Sequence, residues 1–253
     1  MVNTDRLRQI TDAVREAGSL GVGELAGLTG ASEMTIRRDL EVLAAQGVLE
    51  RFRGGARSLL LRGEEPPFVL RAREDAESKR RIAAHVAALI ADGETVVLDS
   101  GTTCLEVARA LRGRLVTVMP LSLQAVDALT DSPGQTTLLV PGGRPRPGEG
   151  ALTGPLTLSS LAALRFDTAV IGCCGLTADQ GLTAYDLDDA AVKQAAIGSA
   201  RRVIAATGGA KLSRTAHAFV APVTALHTLV TDQSAPADEI KAISAAGVTV
   251  GTA

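Results

Sequence analysis

Residues Gly23 to Ala56 read GELAGLTGASEMTIRRDLEVLAAQGVLERFRGGA, and no other stretch narrows so far what the chain can fold into. Glu24 to Leu28 has the length of a short helix, and the Thr29-Gly30 pair breaks it. Ser32 is then placed to cap the next helix by accepting a free backbone N–H. Two helices joined by so tight a turn have helix-turn-helix geometry. In the second helix Ile36, Leu40 and Leu43 recur at helical spacing and face inward, while Met34, Arg38, Glu41 and Ala45 lie opposite. Gly47 ends that helix, Val48 to Phe52 suits a strand, and Arg51, Arg53 and Arg57 around Gly54-Gly55 form a basic wing. Ahead of it, Thr4 to Ala17 is an amphipathic helix with Leu7, Ile10 and Val14 on one face, which completes a winged three-helix module.

In such modules the first turns of the second helix meet base edges in the major groove. Ser32, Glu33, Met34, Thr35, Arg37 and Arg38 are therefore the candidates for contact with double-stranded DNA. Arginine can grip guanine or phosphate, and Met34 or the Thr35 methyl can touch a thymine methyl. The wing residues Arg51, Arg53 and Arg57 suit phosphate or minor-groove contact. The plainer alternative is a three-helix unit whose arginines only solvate a surface. Cap, turn, apolar spacing and wing agree with one another, which argues against it. The segment closely resembles the N-terminal domain of the DeoR family of bacterial transcriptional regulators, whose helix reads VS..TIRRDL and whose wing ends in GGA. Ala31 stands where the family has Val.

A chain of 253 residues is long enough for a small domain plus a larger one with its own core. We expect a winged helix-turn-helix domain over 1–57, a linker over 58–74 around Gly63 and Pro66-Pro67, and a second domain over 75–253. The net charge is only −2, and Glu24, Glu33, Asp39, Glu41 and Glu50 offset the arginines of the first domain. Placement rather than bulk charge is what points to nucleic acid. Aromatic residues make up 2% and Trp is absent, so single strands would find little to stack on, and duplex DNA fits better than RNA. No basic start precedes an apolar stretch, and no apolar run approaches the roughly 18 residues of a membrane span, so a cytoplasmic protein without a membrane partner is expected. Cys104, Cys173 and Cys174 lack metal-ligand spacing, and the adjacent pair is poorly placed for a disulfide; buried free thiols are expected rather than redox sensors.

Beyond a long helix at about Asp75 to Ala91, strands and helices alternate. Strands are expected at Thr95–Leu98, Leu115–Met119, Thr136–Val140, Thr168–Ile171, Val203–Ala206 and Leu229–Thr231, and helices at Thr103–Leu111, Leu123–Leu129, Leu156–Leu164, Asp188–Ala200 and Pro236–Ala246. The fold class is α/β, an open, mostly parallel sheet with helices on its faces. Such sheets bind ligands beyond the carboxyl ends of their strands. Asp99, Ser100, Gly101, Thr102 and Thr103 follow a strand and open a helix, a place where free N–H groups and hydroxyls suit a phosphate. A plain strand-to-helix turn is the alternative for this loop. Gly142 and Gly143 end another strand, Gly172-Cys173-Cys174-Gly175 a third, and Gly181-Leu182-Thr183 forms a loop before the helix of Lys193. Lys193 and Lys211 can each neutralise an anion or be solvated surface lysines.

LDSGTT, PGG, GPLT, GLTAYD and AAVKQA resemble the sugar-phosphate-sensing domain of the same family. The resemblance implies a domain similar in fold to ribose-phosphate isomerase, a phosphorylated sugar as effector, and a repressor of a carbohydrate uptake or catabolic operon. It departs at Pro120-Leu121, where the family has Thr-Asn, at Gly208-Gly209-Ala210, where it has Asp-Ser-Ser, and at Asp189, where it has Glu. Dimeric modules of this kind bind paired half-sites, so a homo-oligomer, dimer or tetramer, is expected. Two other readings stay open: a sugar-phosphate isomerase fused to a DNA-binding domain, and a DNA-binding protein whose second domain only oligomerises. Isomerisation needs a carboxylate base beside the substrate carbon, and the loop 172–175 holds no acid before Asp179. His85, His217 and His227 lack ligand spacing and no Gly-x-Ser-x-Gly elbow occurs, so no catalytic residue, metal or cofactor is expected.

Overall fold

The structure, a computed structural model, describes residues 4–45, 48–58, 66, 68–131 and 134–253. Gly47, Gly63 and Pro67 lie outside the described residues. The chain divides into two compact units, Met1–Glu74 and Asp75–Ala253.

The first unit runs α1 (Thr4–Ala17), β1 (Ser19–Gly21), α2 (Val22–Thr29), α3 (Glu33–Ala45), β2 (Leu49–Phe52), β3 (Gly55–Ser58) and α4 (Phe68–Arg73). Its core joins Leu7, Ile10 and Val14 of α1 to Leu25 of α2 and to Ile36, Leu40 and Leu43 of α3, so the helical spacings do set the buried faces. β2 and β3 form the wing hairpin, and β3 also pairs with β1, a three-residue strand too short to show a period of two. The stretch read as linker is helical from Phe68 to Arg73. Leu70 packs in the first core, and Arg71 donates to Pro66 O at 2.6 Å. Six residues next to prolines carry too little periodicity to betray a helix.

The second unit continues with α5 (Ala76–Leu89), β4 (Thr95–Leu98), α6 (Thr102–Leu111), β5 (Thr117–Pro120), α7 (Leu123–Leu129), β6 (Thr137–Leu138), β7 (Arg144–Pro145), β8 (Leu152–Thr153), α8 (Pro155–Ala163), β9 (Phe166–Ile171), β10 (Gly175–Thr177), β11 (Gly181–Ala184), α9 (Leu187–Gly198), β12 (Ala200–Ala206), β13 (Ala218–Ala221), β14 (Thr228–Thr231), α10 (Ala237–Ala245) and β15 (Thr249–Thr252). Seven strands form one parallel sheet in the order β15-β14-β12-β9-β4-β5-β6. Alternate residues feed two cores. Val96, Leu98, Val170 and Ile204 pack with α5, α6 and α7, whereas Val97, Ala169, Ile171 and Ala205 pack with α8, α9 and α10. A strand covered on both faces has to be apolar throughout, which is why these runs do not alternate.

Three features differ from expectation. Gly181-Leu182-Thr183 is not a loop but most of β11, in a small antiparallel sheet ordered β10-β11-β13. β15 adds a seventh strand at one edge, and the expected Thr136–Val140 strand shrinks to β6 at the other, where only β5 offers hydrogen bonds. Leu121 is 1% exposed and Pro120 is buried, so the departure at Pro120-Leu121 falls in the interior.

Candidate functional site

In the first unit the turn before α3 is held by Ser32, whose Oγ accepts the Thr35 N–H at 3.3 Å and whose carbonyl accepts from Ile36 at 3.0 Å. Ser32 also exchanges a hydrogen bond with the Thr35 hydroxyl at 2.9 Å. Glu33, Met34, Arg37 and Arg38 are exposed on the same end of α3, Met34 at 67%. The arginines divide by partner. Arg37 pairs with Glu33 at 3.2 Å, Arg51 with Glu41 at 3.0 Å and Arg57 with Glu50 at 2.5 Å. Among the described residues, exposed Arg38 and Arg53 have no hydrogen-bond or ion-pair partner, so no carboxylate offsets their charge. Asp39, inside TIRRDL, faces inward and accepts from Arg6 of α1 at 2.5 Å and 3.3 Å, which fixes the roll of α3 against α1. Sequence reading counted Asp39 only as an offsetting charge. Its position three residues from Ile36 and four from Leu43 was the signal that it points inward.

In the second unit the chain winds outward from β4 in both directions, to β5 and β6 on one side and to β9, β12, β14 and β15 on the other. The switch point therefore falls between the carboxyl ends of β4 and β9. Asp99 and Ser100 follow β4 there, and Gly172 follows β9. Gly172 N donates to Asp99 Oδ2 at 2.9 Å. Lys193, projecting from α9, donates to the same oxygen and lies 3.4 Å from Asp189 Oδ2; Ser100 Oγ is 3.5 Å from Asp189 Oδ1. Asp99, Asp189 and Lys193 are all buried, so the solvated-surface alternative for Lys193 is wrong. Burial alone would depress the Lys193 ammonium, but Asp189 and Asp99 outweigh it and hold it well above its usual value. The i,i+4 spacing of Asp189 and Lys193 was the sequence sign of this cluster.

The rest of the expected site arranges itself around this cluster to different degrees. Gly101, at φ +102°, is the N-cap of α6 and brings no side chain to its first turn, where buried Thr102 and half-buried Thr103 stand. The first amides of any helix have no carbonyl behind them, so this end attracts an anion. Lys211 Nζ donates to Cys173 O at 2.8 Å, beside Gly172. Gly142 and Gly143 instead contact α8: Thr157 donates to Gly142 O at 2.8 Å. The loop after them reaches the N-terminus of α9 through Arg144–Asp188 at 3.8 Å and Arg146–Asp186 at 3.6 Å. All three cysteines are buried and in no disulfide, and burial and Asp99 push the Cys104 thiol far up, so it is no thiolate. Asp179 is exposed in the turn between β10 and β11.

A reading helix with a wing, and a parallel α/β unit with an anion-suited switch point, define a two-part class of regulator. The family comparisons agree with that division. Residues 6–60 match the DeoR-like helix-turn-helix domain and residues 74–233 the DeoR C terminal sensor domain. The chain belongs to the DeoR family of transcriptional regulators. It is 31% identical to a putative aga operon transcriptional repressor of Escherichia coli O157:H7, over 98% of this chain and 93% of that one. It is 29% identical to the glycerol-3-phosphate regulon repressor of Escherichia coli K12, over 96% of each. Among solved structures, ribose 5-phosphate isomerase A of Methanocaldococcus jannaschii matches 55% of each chain at 16% identity and a TM-score of 0.40. No helix of the described residues is long and apolar enough to cross a membrane.

Proposed function

We propose that this chain represses a carbohydrate uptake or catabolic operon by binding operator DNA as a homo-oligomer in the cytoplasm, and that a phosphorylated sugar or polyol releases it. Ser32 to Arg38 would read bases, with Arg38 the main cationic contact and Arg53 its counterpart on the wing. The observation that carries the effector half is the switch point itself. There the uncapped start of α6 lies next to a buried Asp99–Lys193–Asp189 cluster. Backbone amides of 101–103 suit the phosphate, and Lys211 adds positive charge. Asp99 Oδ1, buried without a hydrogen-bond partner among the described residues, is an acceptor that a ligand hydroxyl would satisfy. Lys193 then positions Asp99 rather than gripping the ligand.

The relatives' names support repression, since both name repressors, one of an operon and one of a glycerol-3-phosphate regulon. An isomerase is the second reading. It needs a carboxylate base beside the substrate carbon, whereas the loop 172–175 holds no acid and Asp179 stands in an exposed turn. The test is to select duplexes from a random pool with the full chain, then add phosphorylated sugars and polyols one at a time. Release by a member of the set is the expected result. Retention of no duplex, or turnover of a sugar phosphate, would overturn the reading.

A further inference from the structure

Asp232 follows β14, the sheet neighbour of β12, and takes no part in the cluster around Lys193. It is 8% exposed and accepts four hydrogen bonds. Oδ1 receives Ser234 N at 2.9 Å, Ser234 Oγ at 2.5 Å and Gly209 N at 3.2 Å; Oδ2 receives the Ser78 hydroxyl at 2.5 Å. The two bonds from Ser234 close a local turn of the kind Asp makes unaided. The other two serve no local turn. Gly209 belongs to the loop after β12, and Ser78, 154 residues away in sequence, lies in the first turn of α5.

Each of those bonds leads somewhere. The Gly209 loop carries Lys211, which bonds Cys173 O, and Gly172 next to it bonds Asp99. A Cβ on Gly209 would come within 2.2 Å of Ala235 N, so loop and Asp232 turn are packed directly against each other. On the other side, α5 is the first element after the boundary between the two units. Its N-cap, Asp75, is held at φ +45°, a strained conformation that an altered first turn could relax. Burial opposes ionisation of Asp232, but the bonds from Ser234, Ser78 and Gly209 outweigh it and keep the carboxyl below its usual range. Three donors converge on Oδ1, two of them backbone N–H groups that can only donate, so an acceptor oxygen is required there.

We propose that Asp232, through Ser78, is the positioning residue that couples the anion site to the start of α5, so that a ligand drawing on the Lys211 loop is read at the chain junction. This inference rests on the effector reading above. A coupling of this kind requires that the ligand bind the two arrangements of the Asp232 turn unequally.

Ser78→Ala and Ser78→Thr in the full chain test it. The DNA is a duplex selected by the wild-type chain, and the probes are glycerol 3-phosphate, ribose 5-phosphate and fructose 6-phosphate. Ser78→Ala is expected to bind duplex and probe within about threefold of wild type yet to lose the response of DNA affinity to the probe, about tenfold in wild type. Ser78→Thr, which keeps the hydroxyl, restores it. A Ser78→Ala variant that responds like wild type overturns the proposal, and so does loss of either binding event, because the bond would then be a structural tie only. If wild-type DNA binding ignores every probe, the effector reading falls and takes the proposal with it.

Discussion

Arg37 and Arg38 are neighbours on one helix turn, yet they stand in different electrostatic situations. Glu33 sits 3.2 Å from Arg37 and offsets its charge, whereas Arg38 is exposed with no partner among the described residues. Approaching phosphate or guanine gains more from an uncompensated cation, since no ion pair has to be broken first. Arg38→Ala is therefore expected to abolish specific DNA binding, and Arg37→Ala to weaken it less, with effector binding unchanged in both. Fluorescence anisotropy on a selected duplex over a salt series checks this. Equal losses for the two variants would contradict the ranking. The residues that face solvent here were legible from sequence because a helix exposes what its apolar stripe does not claim. The partner of Asp39 was not, since spacing marks the inward face but does not name Arg6, 33 residues earlier.

At the scale of elements, the loop between β6 and β7 is set by a single backbone requirement. Gly143 has φ +141°, and a Cβ there would come 2.1 Å from Thr157 Oγ1, the hydroxyl that holds Gly142 O. Gly143→Ala has to break that bond or move the start of α8. We expect it to lower the melting temperature of the second unit and to expose the Arg144–Arg146 segment to proteolysis, while duplex binding by the first unit persists. A variant as stable and protease-resistant as wild type would show the loop to be tolerant. PGG announced a turn in the sequence, and GPLT a helix start. That Thr157 of one closes the other was not visible, because the contact spans a strand pair, β7 with β8, only two residues long on each side.

For the molecule as a whole, the pH dependence of stability follows from carboxylates that donors hold ionised. Asp167 lies below its usual range through bonds from the Thr95 N–H and hydroxyl; Asp232 does so although burial opposes it. Such groups bind protons more weakly folded than unfolded, so their contribution is complete above the unfolded value of about 3.9 and is lost as pH falls through the lowered folded values. Through Asp167 and Asp232 the melting temperature of the second unit should fall as pH drops below about pH 4. Asp167→Asn should make that fall shallower. Thermal melts across pH check both, and an unchanged slope would remove Asp167 from the account.

Local pattern alone determined the winged module, the alternation of strands and helices, and the loop from Asp99 to Thr103, because capping, periodicity and turn chemistry act over a few residues and leave their marks in order along the chain. Tertiary structure decided the rest. Strand order put β4 beside β9 and so brought Asp99 to Gly172, and the packing of α9 buried Lys193 between two carboxylates instead of leaving it in water. Burial of that kind is a property of neighbours distant in sequence, here 94 residues apart for Asp99 and Lys193, and only the folded chain sets it.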